Sequence, residues 1–538
     1  MGARYLGGKG GGESTVTVRV VQLKLTPDEA LLPLEKLAAK ALKLPESKIL
    51  SAKTVKKSVD ARNKSDIRLL VTLDAELKSG VPLPRGFSLA PKAEEWTETP
   101  VSSLPPHPPV VVGLGPAGLF CALTLAMRGL NPIVLERGKS VEDRHKDVEA
   151  FFSDGRLDPA SNVLFGEGGA GTFSDGKLTT GIKDPRIAHV LSTLHRFGAP
   201  EEILYEAKPH VGTDRLTKAV RGIRREIIRL GGDVRFETRL TGLVIENGRL
   251  AGVKTDKGDI ETGAVFLCLG HSARDSFEML YRLGVPMARK PFSIGARIEH
   301  PQAWLNRAQY GSFAAHPALG QADYKLSARC PDGRGVYTFC MCPGGQVIAS
   351  ASEEGGVVTN GMSVFARDGV NCNSALLTDV RPEDFPESAG VLAGMEFQRF
   401  WERAAYEAGG GSYTAPCQRV GDLLSGRPSK GAGDVLPTYH PGVTWTDLRL
   451  CLPEYAVNNL KFGITEFDRR IKGFAAPGAC VTGVETRSSS PVRILRDQLT
   501  LQSAISGVYP VGEGAGYAGG ITSAAVDGIR SAQEYLKK

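Results

Sequence analysis

An α/β fold preceded by a small α+β module is what this sequence predicts, on three observations. The run Val110-Val111-Val112-Gly113-Leu114-Gly115-Pro116-Ala117-Gly118 is an apolar strand, a glycine turn and a helix start, and a second apolar run closes on Glu136. Residues 264–269 (AVFLCL) are continuously apolar, as a strand buried on both faces should be. Glycine makes up 64 of 538 residues, well above the usual ~7%, in short clusters beside apolar runs and not in repeats.

In chain order, 16–25 (VTVRVVQLKL) alternates as a half-buried strand. Thr26-Pro27-Asp28-Glu29 has the pattern of a capping box, and Leu31, Leu34, Leu37, Ala38, Ala41 and Leu42 form a helical stripe after it. Two strand-like runs, about 49–59 and 67–77, complete the module. The proline-rich stretch 79–109, with acidic Glu94, Glu95 and Glu98, reads as a linker, with a first boundary near residue 95.

Strand 110–113, helix 116–128 closed by Gly129, and strand 132–136 then make one βαβ unit. A helix is predicted at 213–230, a strand at 234–238, and a type I′ hairpin turn at Asn247-Gly248. The stretch 291–490 mixes strands and turns, with helices near 390–407 and 454–471. The C-terminal 508–538 is glycine-rich and then helical.

Composition narrows the function classes. Net charge is +7, but residues 1–92 carry +8 and the rest −1. A solvated basic face accounts for that, and a docking surface for RNA or an acidic partner is the alternative. Nine cysteines between Cys121 and Cys480 show no zinc-ligand spacing, which argues against a metal site and for a reducing cytoplasm. The uncharged Pro108–Met127 is long enough to span a bilayer, but its glycine cluster suits a strand–turn–helix better.

The βαβ unit carries the strongest chemistry. Gly113 permits the tight turn, Gly115 the approach of a pyrophosphate, and Gly118 close helix–strand packing. The helix start at Pro116 and Ala117 offers unpaired N–H groups to phosphates. Glu136, 23 residues after Gly113, is placed to accept from ribose hydroxyls. A second match, Gly166, Gly168 and Gly171, lacks a following helix–strand unit. It reads as a loop against a bound cofactor, with Gly169, Thr172, Ser174 and Lys177 nearby. The run Gly512-Glu513 through Gly520-Ile521-Thr522 places a carboxylate and a small-residue helix start together, for a sugar-like chain and a ring or for tight packing.

These blocks, with VLERG (134–138), CLGHSARD (268–275), FCMCPGG (339–345) and GVETRSSSPVRI (483–494), resemble the glutathione-reductase-type FAD flavoproteins. Among those they are most similar to the FAD-dependent dehydrogenases, over nearly the whole chain. The resemblance implies noncovalent FAD, with adenosine on Gly113–Gly118, Glu136 and Arg137, and flavin near Gly270 and Gly512–Thr522. It implies an FAD domain in two segments, 97–290 and 490–538, an inserted α+β substrate domain at 291–489, and the basic module at 1–95. Such proteins usually carry Asp where this chain has Glu513.

For catalysis, Arg487 and Arg493 could clamp an anionic substrate or stabilise reduced flavin, or form ion pairs with Glu485 or Asp497. His271 and Lys177 are further candidates, each with a packing or surface alternative. Cys340 and Cys342 read as buried apolar thiols sooner than as a redox pair. The expected activity is hydride transfer between flavin N5 and a small organic substrate, with NAD(P)H as an electron donor or acceptor. A flavin monooxygenase and a flavin-bearing RNA-binding or scaffold protein are the alternatives.

Overall fold

The computed structural model describes residues 15–91, 101 and 104–537, which divide into two compact units. The smaller unit is built on an antiparallel sheet in the order Ile49–Asp60, Arg68–Leu77, Val16–Leu25, Ser88–Leu89. Alternation decides its faces: Val18, Val20, Leu69, Leu73 and Leu77 are buried, and Leu37, Ala38 and Leu42 of the helix Leu34–Leu42 are buried with them. Segments 204–207 and 310–320 also belong to this unit. The Lys57 N–H donates to the Tyr205 carbonyl (2.8 Å), and the Ala207 N–H donates back to Lys57 (2.9 Å).

Two expectations need correction here. The Thr26/Glu29 capping box forms, with reciprocal bonds of 3.1 and 3.0 Å, but it heads only a short turn, Glu29–Leu31. Pro33 has no N–H to donate and disfavours helix at Leu32, so the α-helix starts afresh at Leu34 and Leu31 is left exposed. The supposed linker also contributes structure: Val81 is buried and Ser88–Leu89 pairs with Val18 and Arg19. The boundary near 95 and the acidic cluster lie outside the described residues.

The larger unit contains a five-stranded, wholly parallel sheet in the order Val508–Pro510, Val265–Leu267, Val110–Val112, Ile133–Leu135, Asp233–Arg235. The three inner strands are almost completely buried, as their apolar runs require. Helix Pro116–Ala126 follows the central strand and packs against the last helix, Ile521–Leu536, through Gly528, where a Cβ would collide with the Ala117 carbonyl. Asn247 and Gly248 both have positive φ (49° and 75°), giving the hairpin turn between Leu240–Glu246 and Arg249–Thr255.

A seven-stranded sheet draws all its strands from residues 292–485, in the order Ser327–Arg329, Gly335–Cys342, Asn371–Val380, Phe292–Pro301, Cys480–Glu485, Ala415–Arg419, Val443–Trp445. The chain leaves for this sheet along Met287–Arg289 and returns along Val492–Ile494, and these two strands pair antiparallel. Helices Ala393–Ala408 and Glu454–Arg470 lie where the sequence puts them.

Candidate functional site

The site lies at the carboxyl ends of the parallel strands, where open α/β sheets bind ligands. The Val110–Val112 strand ends at Gly113 (φ +95°), where a Cβ would stand 2.6 Å from the Cys268 carbonyl oxygen. Gly118 is closer still: its Cβ would collide with the Gly113 carbonyl. Three distant segments meet here. The Gly168 N–H donates to Leu114 O (2.8 Å), Gly169 stands against Gly115, and Gly171 stands against Ile521. From the C-terminal run, Gly512 abuts Ala117, and the Thr522 hydroxyl donates to the Leu178 carbonyl (2.8 Å).

The helices Pro116–Ala126 and Ile521–Leu536 both open on a glycine, Gly115 and Gly520, with no side chain capping the first turn. Their first-turn N–H groups are thus available to a ligand's phosphate or carbonyl oxygens. Gly270, Gly519 and Gly520 have no heavy atom within 4 Å of where a Cβ would project, so these backbones border open space.

Glu136 is buried and accepts from the N–H groups of Leu114 (2.8 Å), Gly138 (2.9 Å) and Gly166 (3.0 Å). Its carboxylate ties both glycine loops together, leaving about one acceptor position for a ribose hydroxyl. Arg137 reaches Asp275 (2.9 Å) and Ser276 (2.8 Å) and lies over Phe165. The loop hydroxyls expected to contact a cofactor are turned inward instead. Thr172 donates to Glu167 O and Ser174 to Gly171 O, closing the turn Gly169–Phe173.

Glu513 accepts from the Gly520 N–H (3.3 Å), so its extra methylene carries the carboxylate to the start of the last helix. Burial pushes its carboxyl above the usual range. His271 Nε2 is 4.0 Å from Glu513 Oε1, and its Nδ1 is 3.3 Å from the Ser272 hydroxyl. Burial, with the charges of Arg487 and Arg274, lowers the His271 value to about 3, so the imidazole is neutral near pH 7. Lys177 lies 3.8 Å from the buried Asp175, whose carboxylate is held by Arg367 and Ser363.

The expected pair of free guanidiniums is not what forms. Arg487 is buried and its fork holds Glu402 through bonds of 2.9 and 2.7 Å, with a third bond to Ser352 (2.5 Å). Arg274 grips the same carboxylate from the other side (2.7 and 2.9 Å). The ion-pair alternative is the one realised, but with Glu402 in place of Glu485 or Asp497. Glu485 is instead beside Arg297 (3.3 Å). Arg493 is exposed on its strand, bonded to Gly516 O (3.3 Å) and set over Tyr517.

Sequence reasoning also missed Arg144. Its buried guanidinium donates to the carbonyls of Asn162, Val163 and Glu167 (2.7 Å each) and shapes the glycine loop from beneath. Arg144 sits one turn into a charged helix, and nothing local marks it as different from its neighbours.

Known proteins add a family to this geometry. Residues 291–488 match the family "FAD-dependent protein, C-terminal domain-like", and residues 17–76 match a domain of unknown function, DUF8436. Over 531 residues the chain is 48% identical to an uncharacterized protein of Clostridium beijerinckii, covering 97% of this chain and 99% of that one. The chain belongs to the same family as that protein.

Solved structures with some similarity include an L-proline dehydrogenase from P. horikoshii, at 12% identity and TM-score 0.31 over 80% of this chain and 92% of that one. Another is glycine oxidase from Bacillus cereus, at 11% and 0.32 over 80% and 95%. A third is a geranylgeranyl bacteriochlorophyll reductase-like protein from Thermoplasma acidophilum, at 13% and 0.35 over 80% and 78%.

Proposed function

We propose that this chain binds FAD noncovalently and is an oxidoreductase of the glutathione-reductase type, moving a hydride between flavin N5 and a small organic substrate. The meeting of 113–118, 166–173 and 512–522 around two uncapped helix starts carries this reading. The residues present fit the cofactor. The first turn at Gly115–Gly118 would hold the pyrophosphate, Glu136 a ribose hydroxyl, and Glu513 with the Ile521 helix start the flavin end. Bound FAD supplies the hydride chemistry.

The chain's own groups orient and exclude. The Arg274–Glu402–Arg487 cluster fixes the residues around His271, and the neutral imidazole can donate or accept one hydrogen bond without adding charge. Its two nitrogens and the nearby Glu513 carboxyl can hold a proton at the edge of the site. NAD(P)H as electron donor or acceptor, and an anionic substrate, belong to this same proposal.

The test begins with Gly115→Val. Gly115 has φ −75°, and its Cβ would meet only Gly169 Cα at 3.8 Å, so the backbone admits a Cβ there without strain. A pyrophosphate does not. The wild type should purify yellow with FAD and the variant folded but colourless; full occupancy in the variant would refute the assignment. Anaerobic reoxidation of the reduced protein by metabolites and nicotinamides then identifies the partner substrate.

A further inference from the structure

The strand Gly335–Cys342 contains an irregularity that the flavin reading leaves unused. It pairs with Asn371–Val380 in register as far as Phe339 opposite Ala375, and the register resumes at Cys342 opposite Asn373. Three residue steps on one strand thus face two on the other, a β-bulge, with Cys340 at φ +41°. In a regular strand, side chains two apart stand roughly 6.5–7 Å from each other. A bulge shortens that span and re-aims the side chain at its apex. Here the Cys342 thiol donates to the Cys340 carbonyl (3.3 Å), which folds its sulfur back onto Cys340.

Of the nine cysteines, eight are buried and Cys340 alone is half-exposed. Beneath it the fully buried Arg297 donates to the Cys340 carbonyl (2.8 Å), and its Nε faces the Glu485 carboxylate (3.3 Å). The Asn373 side chain, opposite Cys342, is fully buried with both its oxygen and its nitrogen unpartnered. Buried polar atoms left open in this way mark a place that a small polar ligand or water completes. The Cys342 thiol is the largest influence stabilising the Cys340 thiolate, and Lys177 and Arg297 add to it against burial and Asp175. Glu485 and Glu513 are the other carboxyls that feel its charge.

We propose that Cys340 and Cys342 form a redox-active thiol pair that reduces a small hydroperoxide, with Cys340 attacking and Cys342 resolving. The Cys340 thiolate attacks the peroxide oxygen: an S–O bond forms, the O–O bond breaks, and the released alkoxide or hydroxide takes a proton from solvent. The Cys342 sulfur then attacks the sulfenic acid. An S–S bond forms, the S–O bond breaks, and the hydroxyl leaves with the Cys342 proton as water. The dithiol loses two electrons and the hydroperoxide becomes an alcohol and water. None of these steps requires bound flavin, so the pair and the FAD assignment stand or fall separately.

The experiment uses the full chain, fully reduced and desalted, with hydrogen peroxide as the probe. One equivalent should make the protein lighter by two hydrogens, with Cys340 and Cys342 cross-linked in one peptide. Cys342→Ser should stop with an oxygen on Cys340 that dimedone traps, and Cys340→Ser should show neither product. A readout free of variants is the pH dependence of iodoacetamide labelling at Cys340 in the wild type. It should hold near its plateau at pH 7, where an ordinary thiol has lost more than tenfold of its rate. Labelling that follows the ordinary thiol curve, or a peroxide-induced disulfide between other cysteines, would overturn the proposal.

Discussion

Arg487 shows how a residue can be singled out correctly and given the wrong task. The sequence marks an arginine after an apolar strand, next to where a ligand should lie, but its partner Glu402 is 85 residues away on a helix. Only the tertiary fold brings them together. Burial alone would raise the Glu402 carboxyl; the charges of Arg274 and Arg487 overcome this and hold it well below the usual range. Removing the Glu402 charge leaves the two buried guanidiniums only Glu353 as counter-charge, 2.5 Å from Arg274 and 3.9 Å from Arg487, so Glu402→Gln should cost roughly 3 kcal/mol in denaturant unfolding. His271 is depressed as well, so its folded form binds fewer protons than its unfolded form. Its contribution is full above the unfolded value of ~6.5 and declines as pH falls from there toward about 3. His271→Gln should therefore flatten the loss of melting temperature across that window, and an unchanged slope would contradict the neutral imidazole.

At the scale of elements, the sequence was readable wherever one pattern was local and unopposed. The strands at 16–25 and 110–112, the turn at 247–248 and the last helix follow from alternation, apolar runs and glycine placement. The helix Val141–Asp154 was missed although Ser140 caps it by accepting from the Asp143 N–H, a signal visible in Ser140-Val141-Glu142-Asp143. Its buried face rests on Arg144, Val148 and Phe151, and an arginine in a core position hides the apolar stripe. The hairpin offers a clean check. A Cβ at Gly248 would meet nothing within 4 Å, so Gly248→Ala tests positive φ alone. It should lower stability by about 1 kcal/mol, measured by chemical denaturation, with the flavin spectrum unchanged.

For the molecule as a whole, the GxGxxG turn with Glu136 made the glycine-loop part of the candidate site legible in the sequence, because its parts lie within about thirty residues. The groups around His271 and Cys340 come from segments hundreds of residues apart, and no local rule connects them. The smaller unit likewise includes 204–207 and 310–320, far from its own first strands. Deleting 1–95 should preserve bound flavin and its absorbance, while those two segments lose their partners and become the first sites of limited proteolysis. Loss of flavin from otherwise folded protein would show that the module is needed for the cofactor.

The order of strands in the parallel sheet also sets a timetable for synthesis. Val110–Val112 is made well before the edge strand Val508–Pro510 and the helix Ile521–Leu536 that packs on Pro116–Ala126. At ~5–20 residues per second, the glycine turn waits roughly 20–80 s on the ribosome before its covering helix exists. During that interval the apolar faces of Val110–Val112 and Pro116–Ala126 are without their final partners. Nascent chains stalled before residue 508 should accordingly engage chaperones and bind no flavin, and release of the last thirty residues should let the colour appear.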